Sequence, residues 1–292
     1  MDSNEKELIE LTIKLVNKSN ISSIKQVVTE ILKIIKDESS SAKDLKRIVE
    51  KDPPLCAKVL QLANSAQYGY SKSISDIQEA IICIGFDAVK ELALNQKICE
   101  LFMKEDTIHG YSRLSLWKHC SAVALCCKMI YRREFRERGD DIYVAGLLHD
   151  LGIIVEDQFY REMFEQALKK SAEEQINLYA AEKETLKIDH AAIARAIADD
   201  WDFPEELTHA LGLHHEPIEV EAEFERIVYT VYVANSICQR EKIGYSDAPH
   251  VDIKLLGKCM SSLGIKSKAA NIIAEELKQE IRKLDQLGWF IS

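Results

Sequence analysis

His149 and Asp150 stand side by side in AGLLHDLGIIV, residues 145–155, inside an otherwise apolar run. Two ionisable groups are costly to bury there unless they are paired or hold a metal ion. The chain carries eight histidines: His109, His119, His149, His190, His209, His214, His215 and His250. Five of them stand out by setting. His119 lies in the middle of a strongly apolar helical stretch, and His149 precedes Asp150 and Gly152. His190 follows Asp189 at the start of AAIARAIADDW, and His214 and His215 are adjacent at the end of PEELTHALGL. A lone histidine on an apolar face is usually a hydrogen-bonded core residue. Five histidines with an aspartate at helix ends and on core faces suit a different task. Neutral imidazole is the commonest transition-metal ligand, and a carboxylate can bridge two ions. The competing reading is a purely structural network, in which the same side chains hydrogen-bond one another around trapped water and hold four helices together.

The elements that must position these residues are helical. ELIELTIKLV and IKQVVTEILKIIK repeat apolar residues at three- and four-residue spacing, and no run of period-two alternation stands out, so the predicted class is all-α. Ser41 and Asp44 resemble a capping box, and Asp52-Pro53-Pro54 stops that helix and starts the next. A short helix is expected from Ser75 to Cys83, with Gly85 dividing it from FDAVKELALNQKICELF. The polar stretch 104–113 suggests a boundary, giving an N-terminal helical lobe at 1–108 and a second lobe at 109–292. In the second lobe helices are expected at LSLWKHCSAVALCCKMIYRREF, at IYVAGLLHDLG, and at 159–170, 173–180, 185–200, 204–213, 219–240, 249–261 and 267–286. Helical bundles build metal sites from side chains that point inward off facing helices. On a continuous helix His149 and Asp150 would project about 100° apart, and an ion near the helix end could still touch both.

Bulk composition narrows the function classes. Over 292 residues, 47% hydrophobic and 29% charged residues support a substantial core. A net charge of −10 argues against a broad grip on nucleic acid and against a polybasic membrane patch. The polar, acidic opening MDSNEKELIE and the lack of an 18-residue apolar span predict neither a signal peptide nor a transmembrane helix. The cysteines, at 56, 83, 99, 120, 126, 127, 238 and 259, form no CxxC pair and fit a reduced, cytoplasmic setting. GxxxxGK, GxGxxG and a serine nucleophile elbow are all absent.

The order His119, His149-Asp150, His190, His214-His215 resembles the ligand order of the HD superfamily of metal-dependent phosphohydrolases, and most of all its branch acting on cyclic dinucleotides. In that superfamily a final aspartate comes from a downstream helix; here IVYTVYVANSICQ places Asn235 at that position. The N-terminal half resembles the HDOD family, the HD-related output domain, through Asp52-Pro53, Leu60, Asn64-Ser65, Tyr68-Gly69, the segment from Ile74 to Ala80, and Ile84-Gly85. LWKHC, AGLLHDLG, DHAAIARAIADDWDFPEEL and HHEP match its second half, so the resemblance spans roughly residues 20 to 240. It implies two helical lobes, the second HD-like, and a bacterial regulatory output domain that binds a signalling protein or a small ligand.

The pattern departs from the hydrolases at three places: Asn235 for the last aspartate, Ile153 where those enzymes put a lysine after HDxG, and EPIEVEAEFERIV where a GYP segment would follow His215. Two divalent ions carry four positive charges, against which Asp150 supplies one negative charge and Asn235 none. Each lost opposite charge at close range is worth on the order of 1 to 4 kcal/mol. The resemblance therefore implies that one or two ions (Fe, Mn, Ni or Zn) bind, with the His119–His149–Asp150 site weakened and the Asp150–His190–His214–His215 set intact. The reading is a signalling module that binds without efficient turnover. The alternative is a phosphodiesterase acting on a nucleotide or cyclic dinucleotide, with Asp150 as the bridging catalytic ligand.

Other features read more simply. Asn64 and Ser65 suit a brace at a helix junction, although NSAQYGY could form a recognition loop. Trp117 and Trp201 suit core anchors. YRREFRER, residues 131–138, suits a solvated helix end, and Cys126-Cys127 suits the core. In the last helix the stripe Ile272, Ile273, Leu277, Ile281 and Leu284 suits packing against the bundle, with a partner helix as the alternative.

Overall fold

A computed structural model of the chain describes residues 3–37, 40–65, 74–103, 107–246 and 251–286. Its described residues are almost wholly helical and fall into two compact units, one formed by Ser19–Leu101 and one that joins Met1–Lys18 to Phe102–Ser292. Tyr68-Gly69 of the expected N-terminal motif, and His250, lie outside the described residues.

In the smaller unit α2 (Ser23–Lys36), α3 (Ala42–Val49), α4 (Pro53–Ala63), α5 (Ile77–Ile84) and α6 (Phe86–Cys99) enclose Val28, Ile31, Leu45, Val59, Ile81 and Leu92. The starts follow local chemistry. Ser41 and Asp44 close a capping box on α3, and Asp52 accepts from the Leu55 N–H while Pro53 and Pro54 fill the first turn of α4. Gly85, at φ +99°, ends α5 and begins α6 in one step, a conformation that L side chains rarely adopt. Asn64 is a brace: its side-chain amide donates to the Leu60 and Ile74 carbonyls, and its Oδ1 accepts from the Ile74 N–H.

The larger unit holds the expected ligands. Its first helix, α1 (Ser3–Asn17), packs on α9 (Leu151–Phe159) and α12 (His190–Asp200). Trp201 donates to the Asn17 side chain, which donates in turn to Asp200. A two-residue hairpin, Thr107–Ile108 with Tyr111–Ser112, turns through His109 and Gly110, both at positive φ. It leads into α7 (Arg113–Ile130), the central helix, which continues as a π-helical turn over Tyr131–Phe135. α8 (Asp140–Leu148) and α14 (Glu225–Arg240) flank α7, and α16 (Ser267–Gln286) packs on it through Ile273, Leu277 and Ile281.

Several helices start later than the periodicity predicts. The expected segments 173–180 and 185–200 are instead parts of α10 (Arg161–Glu174), α11 (Leu178–Thr185) and α12. Asn177 and Asp189 each accept a first-turn N–H and fix the starts of α11 and α12. The segment expected at 219–240 becomes helical only at Glu225, after a 3-10 turn at Pro217–Glu219. α13 (Glu205–Leu213) and α15 (Ile253–Ser262) complete the unit. Among the described residues no helix is long and apolar enough to cross a membrane.

Candidate metal centre

The expected ligands reach one spot in the larger unit from five places: α7, the α8–α9 junction, the start of α12, the end of α13, and α14. His119 projects from the middle of α7 and Asn235 from the middle of α14. His149 caps the C-terminal end of α8, and Asp150 follows in a non-helical conformation (φ −98°, ψ 18°) that separates α8 from α9. The break removes the 100° divergence expected of a continuous helix and lets both residues face inward. His190 is the first residue of α12, and His214 and His215 follow α13 directly. Gly152 makes the junction close. A Cβ there would lie 2.0 Å from the His190 carbonyl oxygen, so a side chain at 152 would push α9 off the start of α12.

The ligand atoms form two overlapping groups, Asp150–His190–His214–His215 and His119–His149–Asp150, each spanning at most 4.8 Å. In the first, His190 Nε2 lies 2.9 Å from His215 Nε2, 3.3 Å from His214 Nε2 and 3.5 Å from Asp150 Oδ1, and His214 Nε2 is also 3.5 Å from Asp150 Oδ1. In the second, Asp150 Oδ2 lies 3.1 Å from His149 Nε2 and 3.8 Å from His119 Nε2. All of these residues are buried except His215, which is half-buried with Tyr179 stacked on its ring at 4.6 Å.

Hydrogen bonds on the far side of the rings decide where the protons are. His149 Nδ1 donates to the Gly146 carbonyl at 2.8 Å, His214 Nδ1 to the Leu211 carbonyl at 2.7 Å, and His119 Nδ1 to the Ile243 carbonyl at 3.3 Å. His190 Nδ1 donates to Glu182 Oε2 at 2.7 Å. A carbonyl or carboxylate only accepts, so each neutral ring keeps its proton on Nδ1 and presents a bare Nε2 to the centre. Burial, the largest influence, brings His119 and His214 down to about 4 and pushes His215 well below its ordinary value. Burial opposes the charge on Asp150, but the surrounding imidazoles, His149 first, hold its carboxyl well below the usual range, so it stays ionised.

His190 and His214 therefore set lone pair against lone pair at 3.3 Å, and His149 Nε2 is buried with no hydrogen-bond partner. A structural network needs a donor between the His190 and His214 nitrogens, and with the protons of both rings held on Nδ1 neither supplies one. A cation beside Asp150 satisfies the His190 and His214 lone pairs together, and with His215 Nε2 close by the donor set fits a transition ion held by three imidazoles and a carboxylate. His119 differs. Its Nε2 lies 3.0 Å from the Asn235 side-chain amide, which supplies an N–H once turned by the half-rotation that exchanges its two ends. That nitrogen is already satisfied without an ion.

Two residues behind the ligands escaped the sequence reading. Glu182, fully buried in α11, accepts from both the His190 backbone N–H and its Nδ1. Glu156, fully buried in α9, has its carboxyl pushed well above the usual range, first by burial and then by the Glu182 charge. Glu156 sits in the same apolar run as His149 and Asp150, and that setting was its sequence signal; Glu182 lies in AAEKETLK, which offers none.

The remaining features take structural roles. Trp117 and Trp201 are core residues, and Cys126 and Cys127 are buried and reduced. The basic run is engaged by acids, with Arg133 on Glu276, while Arg226 lies over the Tyr131 and Phe135 rings and pairs with Glu137. His209 stacks on Phe224, away from the centre.

Comparison with known proteins matches residues 21–217 to the HDOD domain family. An uncharacterized protein of Treponema pallidum (strain Nichols) is 25% identical over 221 residues, which is 74% of this chain; the chain spans 42% of that relative's length. The crystal structure of an HDOD domain protein of unknown function from Geobacter sulfurreducens superposes with a TM-score of 0.72 at 28% identity, covering 88% of this chain and 89% of that one. A proposed signal transduction protein from Marinobacter aquaeolei VT8 superposes with a TM-score of 0.73 at 20% identity, covering 91% of this chain and 58% of that one.

Proposed function

Because the chain belongs to the HDOD family, we propose that it is a regulatory binding module that holds one divalent transition ion (Fe, Mn, Ni or Zn) at Asp150, His190, His214 and His215, and does not turn over substrate efficiently. One observation carries this reading: the bare Nε2 lone pairs of His190 and His214 meet at 3.3 Å beside Asp150, with His215 Nε2 2.9 Å from the same His190 nitrogen, while the His119 nitrogen is already satisfied by Asn235. Two-metal hydrolysis needs a second ion to clamp the attacking and leaving oxygens. The second group has neither the extra carboxylate nor a free His119. Ile153, where a catalytic lysine would stand, is fully buried.

Binding has room beside the centre. A cleft of about 820 Å³ opens between α1 and α12, and its wall includes Tyr179 and Asp189. Through Tyr179 it reaches His215, the half-buried member of the ion group. A small ligand seated there, a nucleotide or cyclic dinucleotide among them, or a signalling protein that covers the cleft, would sense the occupancy of the centre.

The second reading is a metal-dependent phosphodiesterase, favoured by the complete four-ligand group around Asp150. The deciding experiment loads the purified chain with Mn or Fe and screens nucleotides and phosphodiesters beside an Asp150→Ala control. The expected result is one bound ion per wild-type chain and no turnover; turnover abolished by Asp150→Ala would establish the second reading. A chain that takes up no ion would remove the metal from both.

A further inference from the structure

Resting on the metal reading, we infer that Glu182 is a positioning residue that makes the Asp150–His190–His214–His215 group the single tight ion site. The argument begins with what holds each ring from behind. His119, His149 and His214 donate to neutral backbone carbonyls, at Ile243, Gly146 and Leu211. His190 donates to a carboxylate. Glu182 Oε2 takes the His190 ring proton at 2.7 Å and its backbone N–H at 3.0 Å. The second contact matters because His190 opens α12, where a first-turn N–H has no partner within the helix. Glu182 thus fixes both the backbone and the ring of one ligand, and does so with no exposed surface.

A carboxylate behind an imidazole fixes its tautomer and raises the basicity of the nitrogen that faces the metal. It also changes the local charge. Asp150 and Glu182 together bring two negative charges to the four-ligand group, which match one divalent ion. The His119–His149–Asp150 group shares Asp150, has only backbone carbonyls behind its rings and meets the neutral Asn235 amide at the His119 Nε2. Four donors and balanced charge therefore fall on the same side of Asp150. Glu182 comes from α11, the helix that also carries Tyr179, so the cleft wall and the support of His190 belong to one element.

The test uses the full chain with Glu182→Met, which removes the acceptor at similar size, and Glu182→Gln, which keeps an acceptor and removes the charge. Zn²⁺ affinity is read by competition titration, and the His190 ring is followed in the metal-free protein by nitrogen-15 NMR. Glu182→Met is expected to weaken Zn²⁺ binding about 10- to 100-fold and to lose the pure Nδ1–H signature of His190. Glu182→Gln is expected to keep that signature and to fall between wild type and Glu182→Met in affinity. A glutamate that only packs would lower the melting temperature and leave both readouts alone, and that outcome overturns the assignment. If the wild type binds no Zn²⁺, the proposed function falls and the NMR signature alone decides Glu182: an unchanged His190 tautomer in Glu182→Met refutes it.

Discussion

Asn235→Asp should raise the ion count from one to two. Asn235 is buried, and its side-chain oxygen position lies 3.0 Å from His119 Nε2. A carboxylate there cannot donate to that nitrogen, so the neutral pairing that now satisfies His119 is lost and its lone pair is freed for a metal. The new charge would also face an ion bound by His119, His149 and Asp150. A unit pair at about 4 Å is worth about 1 kcal/mol in water and about 4 kcal/mol at intermediate dielectric; a divalent ion doubles this to about 2 to 8 kcal/mol. Even the lower figure is about a 30-fold gain in affinity for the second ion. Without metal the same change costs stability, because it buries a second carboxylate near Asp150. The assay is equilibrium dialysis against Mn²⁺ or Zn²⁺ with elemental analysis, alongside thermal unfolding with and without metal. The variant is expected to bind two ions per chain, to melt below wild type when metal-free, and to regain stability on loading. A wild type that already holds two ions, or a variant that stays at one and is not rescued, would refute the claim that Asn235 closes this group.

Gly152→Ala tests the close junction instead of the ligands. Its Cβ would fall 2.0 Å from the His190 carbonyl oxygen, and backbone must move to admit it. Overpacking of this kind costs about 1 to 3 kcal/mol; calorimetry should show that loss together with weaker metal uptake, and uptake at the wild-type level would separate the junction from the centre. Glu156→Gln tests the buried acid. Its folded pKa lies well above the ordinary 4.5, so folding takes up a proton once the unfolded chain has lost it. The wild type should then lose stability as pH rises above 4.5, by about 1.4 kcal/mol per unit until the folded group titrates. The neutral glutamine removes that slope, so the variant should gain on wild type as pH rises in denaturant titrations; parallel profiles would show that Glu156 is not protonated. His119 and His214, near 4 in the folded chain against 6.5 unfolded, act in the opposite direction. They favour the fold above pH 6.5 and lose that contribution as pH falls toward 4, which acid unfolding of His119→Gln and His214→Gln should report as a reduced acid sensitivity.

Side-chain chemistry explains which parts of this centre could be read from sequence. A histidine or an aspartate in an apolar run is conspicuous because burying it is costly, and His119, His149, Asp150 and His190 each stand in such a setting. Glu156 obeys the same rule in the same run, but a lone glutamate there is not a ligand type that matches the histidine pattern, so the rule marks its burial and not its place behind the centre. Glu182 could not be read that way. In AAEKETLK the acids at 182 and 184 look alike, and only the packing of α11 makes one fully buried and leaves the other exposed. Periodicity set the helical class but blurred the starts of α11 and α12, since apolar spacing runs on past a break, whereas the capping side chains of Asn177 and Asp189 mark it. The start of α12 matters most. Asp189 sets the first turn, Gly152 allows α9 to touch it, and Glu182 secures the N–H left over there, so three residues that bind no ion in this reading bring His190 to Asp150. A ligand pattern in a sequence names the atoms that face the ion. Whether they meet depends on such supporting residues, which makes Glu182 and Gly152 sharper tests of the centre than any histidine in it.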